Sequence, residues 1–439
     1  MSSASPRPAG THPARRFTSV RGSLAASTAE GVVAELFSAC AGPTVLTAWA
    51  LHLGASAFVV ALVTALPQFA TCAQLPAAWL SARFGRRRVA LVTLGLSRQA
   101  VLPLLLVPGL GLGPEAARAL LVAVAGSSAV LGVAGGNAWT AWMGELVPAR
   151  LRGRYFGLRT AALTGCATAA GLAVGLALDG AASRGRSELA LSLLTLAASA
   201  FGAATVLLLA RQRDPGGAGP GETTLGAALR PLSDPDARGL LVYQVAWNGA
   251  VGLSAACFTW HLVKNVGAGF TVVALHGAGA ASARVLAAPL WGRAIDRLGA
   301  RPVLLTCSVA LGLLPLGWLL VGPDRLWPLF IDAPLGGIAW SGHGLAAFAA
   351  PLAVSPRRGR PYYLAAFSMA GGLAWGAATA ASGAVLAALP VAATSLGRGP
   401  AHAVDLAFVT SCGCRLAAAT LAGDIAERGA RPVRELLFS

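Results

Sequence analysis

The sequence predicts an all-α membrane protein, with twelve transmembrane helices in two pseudo-symmetric six-helix bundles. Three observations lead there. The chain of 439 residues is 56% hydrophobic and only 12% charged. Soluble domains carry roughly 25% charge, so most of this surface must face lipid. The arginines gather in every second connection between apolar runs. A basic loop also recurs. Leu80-Ser-Ala-Arg-Phe-Gly-Arg-Arg-Arg88 returns as Ala294-Ile-Asp-Arg-Leu-Gly-Ala-Arg-Pro302, with Arg83 and Gly85 mapping onto Arg297 and Gly299 at one fixed offset.

Each element follows from the length of its apolar run. A spanning helix needs about 20 mainly apolar residues. Runs of that kind lie near 31–53, 56–80, 89–110, 117–143, 156–179 and 188–210, and again near 239–262, 268–291, 302–321, 326–353, 362–389 and 401–422. Residues 1–28 hold Arg7, Arg15, Arg16 and Arg21 without a central apolar stretch. They read as a cytoplasmic tail rather than a cleaved signal. Residues 29–210 then form the first bundle and 238–422 the second. The Gly- and Pro-rich stretch 211–237 reads as a flexible cytoplasmic linker, and 423–439 as a second tail.

Charge orients the helices. The tails and every second loop hold 25 arginines, whereas the alternate loops hold six basic residues, Arg118, Arg184, Arg186, Lys264, Arg325 and Arg398. Positive charge stays on the cytoplasmic side, which places both termini there. The formal net charge of +17 is therefore topogenic. A nucleic-acid binder would cluster it on a soluble domain, and no nucleic-acid partner is expected. Scarce lysine with abundant Ala and Gly suggests a GC-rich bacterium, hence its cytoplasmic (inner) membrane.

The seven cysteines all fall in apolar runs and form neither a disulfide framework nor a metal spacing. The six histidines are scattered without an HExxH-type pair, and no phosphate-binding glycine loop is present. No cofactor or metal and no enzymatic activity are expected, and any uphill movement must draw on an ion gradient or a partner.

The repeated loop resembles the signature of the major facilitator superfamily, roughly G-x-x-x-D-R-x-G-R-R between spans two and three, with a weaker copy between spans eight and nine. The second copy here is the more complete: Gly292, Asp296, Arg297, Gly299 and Arg301. The first keeps Arg83, Gly85, Arg86 and Arg87, but Ala78 and Ala82 stand where the family has Gly and Asp. A second echo places Arg152-Gly-Arg-Tyr155, with Arg154, before span five and Arg358-Gly-Arg-Pro-Tyr362, with Arg360, before span eleven. The stretch from Trp139 to Arg159 looks like poorly characterised bacterial members. Span five lacks a Gly-Pro pair and span four lacks the Arg expected of drug exporters. The resemblance, over about 30–422, implies a secondary transporter working by alternating access, with a small-molecule substrate, a lipid environment and a monomeric state. The arginine loops, with Asp296, then serve as a cytoplasmic gate. Loss of the first-loop Asp leaves a degenerate receptor or scaffold as the alternative.

Polar groups inside spans locate a site. A charge at mid-bilayer costs about 2.5–3.5 kcal/mol, so it should face a cavity or a partner. Spans one, four, seven and ten line the central cavity in the family. Span one offers Glu35, span four Asn137 and Trp139, and span seven Tyr243, Gln244, Trp247 and Asn248. Span eight adds His276 and Arg284, and span ten Trp340 and His343. These are the expected cavity residues, with Glu35 and Asp332 as proton-coupling candidates. Trp49 reads as an interfacial anchor. Arg98 and Arg415 read as structural. The GxxxG spacings at Gly171/Gly175 and Gly372/Gly376 read as close helix packing.

Overall fold

The structure is a computed structural model. It describes residues 20–146, 152–213, 233–355, 360–388 and 403–425. In a bilayer core every backbone polar group must bond within its own segment, so the apolar runs become helices. The first half comprises α1 (Val20–Ala41), α2 (Pro43–His52), α3 (Ala57–Phe69), α4 (Gln74–Phe84), α5 (Arg86–Gln99), α6 (Pro114–Leu146), α7 (Arg152–Ala182) and α8 (Ser187–Ala210). The second half comprises α9 (Pro235–Ala255), α10 (Phe270–Leu298), α11 (Ala300–Trp318), α12 (Trp327–Val354), α13 (Arg360–Ala388) and α14 (Ala403–Leu421).

Among the described residues ten helical stretches are long and apolar enough to cross a membrane, against twelve expected spans. The stretch 57–84 is divided into α3 and α4 by a 3-10 turn at Ala70–Ala73. Helix α12 is 28 residues long and carries Asp332, His343 and the internal prolines Pro334 and Pro351. Helices α1 and α2 form one crossing, broken where Pro43 has no N–H to give. Helix α9 runs on through Cys257–Trp260 into a π turn at His261–Asn265. Helix α1 starts inside the expected tail, so residues 20–28 are helical, with Ser23 and Ser27 buried. The linker ends sooner than expected, because Asp234 caps α9 by accepting from the Asp236 N–H at 3.0 Å.

The repeated loops turn alike. Gly85 between α4 and α5 has φ +89°, and Gly299 between α10 and α11 has φ +94°. Only glycine adopts such angles without strain, which accounts for both conserved offsets in the repeat.

Within the first half α1 packs on α7 and α8, and α5 on α6 and α8. Within the second α10 and α11 pack on α12, and α9 on α13 and α14. Each half has its own buried core, one around Trp49 and Leu121, the other around Tyr243 and Leu304. Trp49 is fully buried and donates from Nε1 to Thr195 Oγ1 at 3.3 Å. It is a core residue and not the interfacial anchor expected, because a threonine on α8 satisfies its indole.

The halves meet through α3 with α13 and α7 with α10. Small residues make both contacts. A Cβ on Gly372 would lie 2.5 Å from Thr71 Oγ1, one on Gly376 3.0 Å from Phe69, and one on Gly175 3.0 Å from the Phe270 carbonyl. The two GxxxG spacings thus serve packing inside the fold, apart from Gly171, whose Cβ would meet open space.

Candidate functional site

In the first half a charged cluster lies between α1, α5 and α7. Arg159 on α7 pairs with Glu30 on α1 at 3.6 Å, and its guanidinium lies 4.6 Å from the Trp139 ring centre. Glu35 feels both Arg159 and Arg98 electrostatically, while Arg98 sits 4.4 Å from the Phe37 ring centre. The sequence reading chose Glu35 and Trp139 but missed Glu30 and counted Arg159 as loop charge. Their separation of 129 positions hides the pair. Asn137 is half-buried on α6. Trp139 Nε1 is buried without a hydrogen-bond partner.

In the second half the aromatic candidates knit α9, α11 and α12 together. The Tyr243 hydroxyl bonds Ser308 Oγ at 2.8 Å and His343 Nε2 at 2.9 Å. Trp247 stacks on His343 at 4.8 Å and meets the Trp340 edge at 6.4 Å. Tyr243 and Trp247 are 0% and 1% exposed, and His343 6%. In this conformation these three are sealed inside the half; Trp340, half-buried, is the member of the group at its margin. The span-seven amides face the other way. Asn248 donates to Gln244 Oε1 at 3.0 Å and approaches Gly371 on α13.

His276 on α10 and Asp332 on α12 form an ion-pair geometry, Nε2 to Oδ2 at 2.8 Å, with Trp318 edge-on to the imidazole at 5.4 Å. The two were separate candidates in the sequence and are one unit in space. Asp332 also borders a cavity of about 510 Å³ between α11 and α12, walled by Leu313, Leu320, Trp327, Ile331 and Leu335. These residues are largely exposed apolar groups, so this cavity opens on the lipid side and is separate from the space between the halves.

Arg284 stands apart. It is exposed in the middle of α10, and among the described residues its guanidinium has no hydrogen bond or ion pair. Its backbone carbonyl accepts from Ser341 Oγ at 2.8 Å. Arg415, by contrast, is 3% exposed and donates from its two terminal nitrogens to the Leu311 carbonyl and to Ser254 Oγ, at 3.1 and 2.9 Å, while its Nε is buried without a partner among the described residues. It is a structural residue, as expected.

At the arginine-rich end, Asp296 and Arg297 are exposed and, among the described residues, make no ion pair. Arg83 lies near the rings of Trp79 and Phe84 at 5.9 and 5.8 Å. Arg87 reaches the carbonyl of Ala210, the last residue of α8, at 2.6 Å; a cation at a helix C-terminus is favourable. Arg86 begins α5 and Gly292 lies on α10. Arg358 lies outside the described residues, as do the side chains of Arg152, Arg154 and Arg360.

The opposite end holds a contact the sequence did not reveal. Asp179, near the end of α7, accepts from the N–H groups of Phe270 and Thr271 at 2.8 Å each. A carboxylate of one half thus caps a helix of the other. Trp260 and Phe270 of the second half pack against the core of the first at this end.

These helices, halves and broken spans have the major facilitator fold, the architecture of a class of polytopic membrane transporters. The nucleoside transporter NupG superposes with a TM-score of 0.68 at 12% identity, covering 92% of this chain and 98% of that one. A D-xylose-proton symporter gives 0.67 at 13% identity over 93% and 100%. The inward-open xylose transporter XylE from E. coli gives 0.65 at 14% over 94% and 99%. These neighbours are transporters, not enzymes. No family model and no curated protein sequence matches the chain.

Proposed function

We propose that the chain is a secondary transporter that carries a small organic solute across the bacterial cytoplasmic membrane by alternating access, with twelve crossings and proton coupling. The observation that carries this reading is the asymmetry of contacts between the halves. They run from the arginine-poor end, where Asp179 caps α10, as far as Gln74 Nε2 to Ser368 Oγ at 3.2 Å. Among the described residues, the expected gate residues Asp296 and Arg297 beyond that point make no ion pair. That is the arrangement of a carrier shut outside and open to the cytoplasm. Gln244, Asn248, Trp340 and Arg284 supply the polar and aromatic groups of a solute site.

Two charged units suit proton coupling because each joins different helices: Glu30 and Glu35 with Arg159, and His276 with Asp332. A group that changes charge inside either unit alters what holds those helices together. The test is a pH-gradient assay in liposomes holding the purified chain, with a panel of sugars, nucleosides, amino acids and organic acids inside and outside. Proton flux that appears only with one solute class, and is lost in Asp332→Asn or Glu35→Gln, supports the reading. A folded protein that moves none of them, at any gradient, favours the scaffold alternative.

A further inference from the structure

We propose that the solute is an organic carboxylate with one negative charge and an apolar body, held through Arg284; this rests on the transporter reading above. The position of Arg284 on α10 follows from the helix itself. At 3.6 residues per turn, Arg284 lies about 200° round from Leu286, which is 78% exposed, and half a turn from Leu275. Those leucines face lipid. Ala280 and Ala283 meet Gly337 on α12, and the first turn meets α7. The face left over, 277–281–284–288, reads Gly, Ala, Arg, Ala. It points away from those leucines and from α12, on the side of the helix where the first turn meets α7 of the other half. A Cβ on Gly277 would meet nothing within 4 Å, so there is room beside the guanidinium.

Charge points to an anion. The described membrane helices hold four interior arginines, Arg98, Arg159, Arg284 and Arg415, against three interior carboxylates, Glu30, Glu35 and Asp332. Arg159 has Glu30, Arg98 has the aromatic face of Phe37 and the field of both glutamates, and Arg415 has its carbonyl and serine. Asp332 has His276. The surplus cation is Arg284, and a guanidinium in a membrane span needs a partner. One guanidinium without a partner among the described residues fits one carboxylate group. The planar fork of Arg fits a carboxylate with two hydrogen bonds. Ser341, bonded to the Arg284 carbonyl, ties α10 to α12 at the level of Trp340, an aromatic group at the margin of the second half that is backed by Trp247.

Thermal unfolding of the full chain in detergent tests this with matched pairs: benzoate and benzamide, indole-3-acetate and indole-3-acetamide, 3-phenylpropionate and its amide. At least one acid is expected to raise the unfolding temperature where its amide does not. Arg284→Gln is expected to abolish that difference, and Arg284→Lys to shrink it, since a point charge cannot fork. Acids and amides acting alike, no acid acting at all, or an acid effect that survives Arg284→Gln would each overturn the proposal. Should Arg284→Gln not purify, an Arg284→Lys variant with an undiminished acid effect overturns it equally. Counterflow in liposomes separates the two readings. An acid that binds through Arg284 but never moves sinks the transporter and leaves the site. Transport of neutral or cationic solutes that Arg284→Gln leaves unchanged sinks the site and leaves the transporter.

Discussion

Arg159 and Arg284 are both arginines within apolar helices, yet Arg159 is held by Glu30 and Trp139, whereas the guanidinium of Arg284 has no hydrogen bond or ion pair among the described residues. The sequence placed Arg159 in a loop and Arg284 inside a span, and it could not give Arg159 its partner, because Glu30 lies 129 positions away and partnership is a property of distance rather than of spacing along one helix. The same limit applies to His276 and Asp332, chosen separately and found 2.8 Å apart. Residues that share one helix fared better: Gln244 and Asn248, four apart, do touch. Tyr243 was chosen as a cavity residue, and its hydroxyl instead ties α9 to α11 and α12. Removing that hydroxyl leaves Ser308 and His343 short of a partner in a dry interior. Tyr243→Phe should therefore cost about 1–3 kcal/mol, read as a lower unfolding temperature in detergent with the helix content unchanged. An unaltered unfolding temperature would mean the hydroxyl does not matter there.

At the scale of elements, turn glycines and small-residue spacings were legible because backbone geometry demands particular residues. Gly85 and Gly299 take positive φ as the repeat implied, and Gly175, Gly372 and Gly376 lie where helices of the two halves touch. Putting a Cβ into the left-handed region costs about 1–2 kcal/mol. Gly299→Ala should lower stability by about that amount, with Gly85→Ala close behind, measured by thermal unfolding. The Asp179 contact was not legible, since nothing in α7 announces which helix start it will cap. Losing a cap costs about 1–2 kcal/mol, roughly a five- to thirtyfold change in an equilibrium. Asp179→Ala should therefore favour opening at the arginine-poor end. A cysteine placed at Thr271, in a background with Cys72 and Cys414 replaced by Ser, should react faster with an impermeant thiol reagent once Asp179 is gone. Equal rates would show that the cap does not hold the two halves.

For the whole molecule, composition and the arginine pattern made the membrane fold readable, because lipid imposes one rule on every span. One stretch departed from that rule's simple form. The 3-10 break at Ala70–Ala73 interrupts the run next to α3, a helix that adjoins the other half. The site was less readable than the fold, because which side of a bundle a polar group faces depends on the conformation adopted. The central claim is that the two halves rock about a solute between them. Spin labels at Arg88→Cys and Arg293→Cys, one on each half at the arginine-rich end and both exposed, report it directly by pulsed electron–electron distance measurement in nanodiscs. The account predicts two distance populations, the longer one belonging to this structure, with the shorter one growing when a transported solute is added and growing again in Asp179→Ala. A single distance, indifferent to solute, pH and the loss of Asp179, would contradict it.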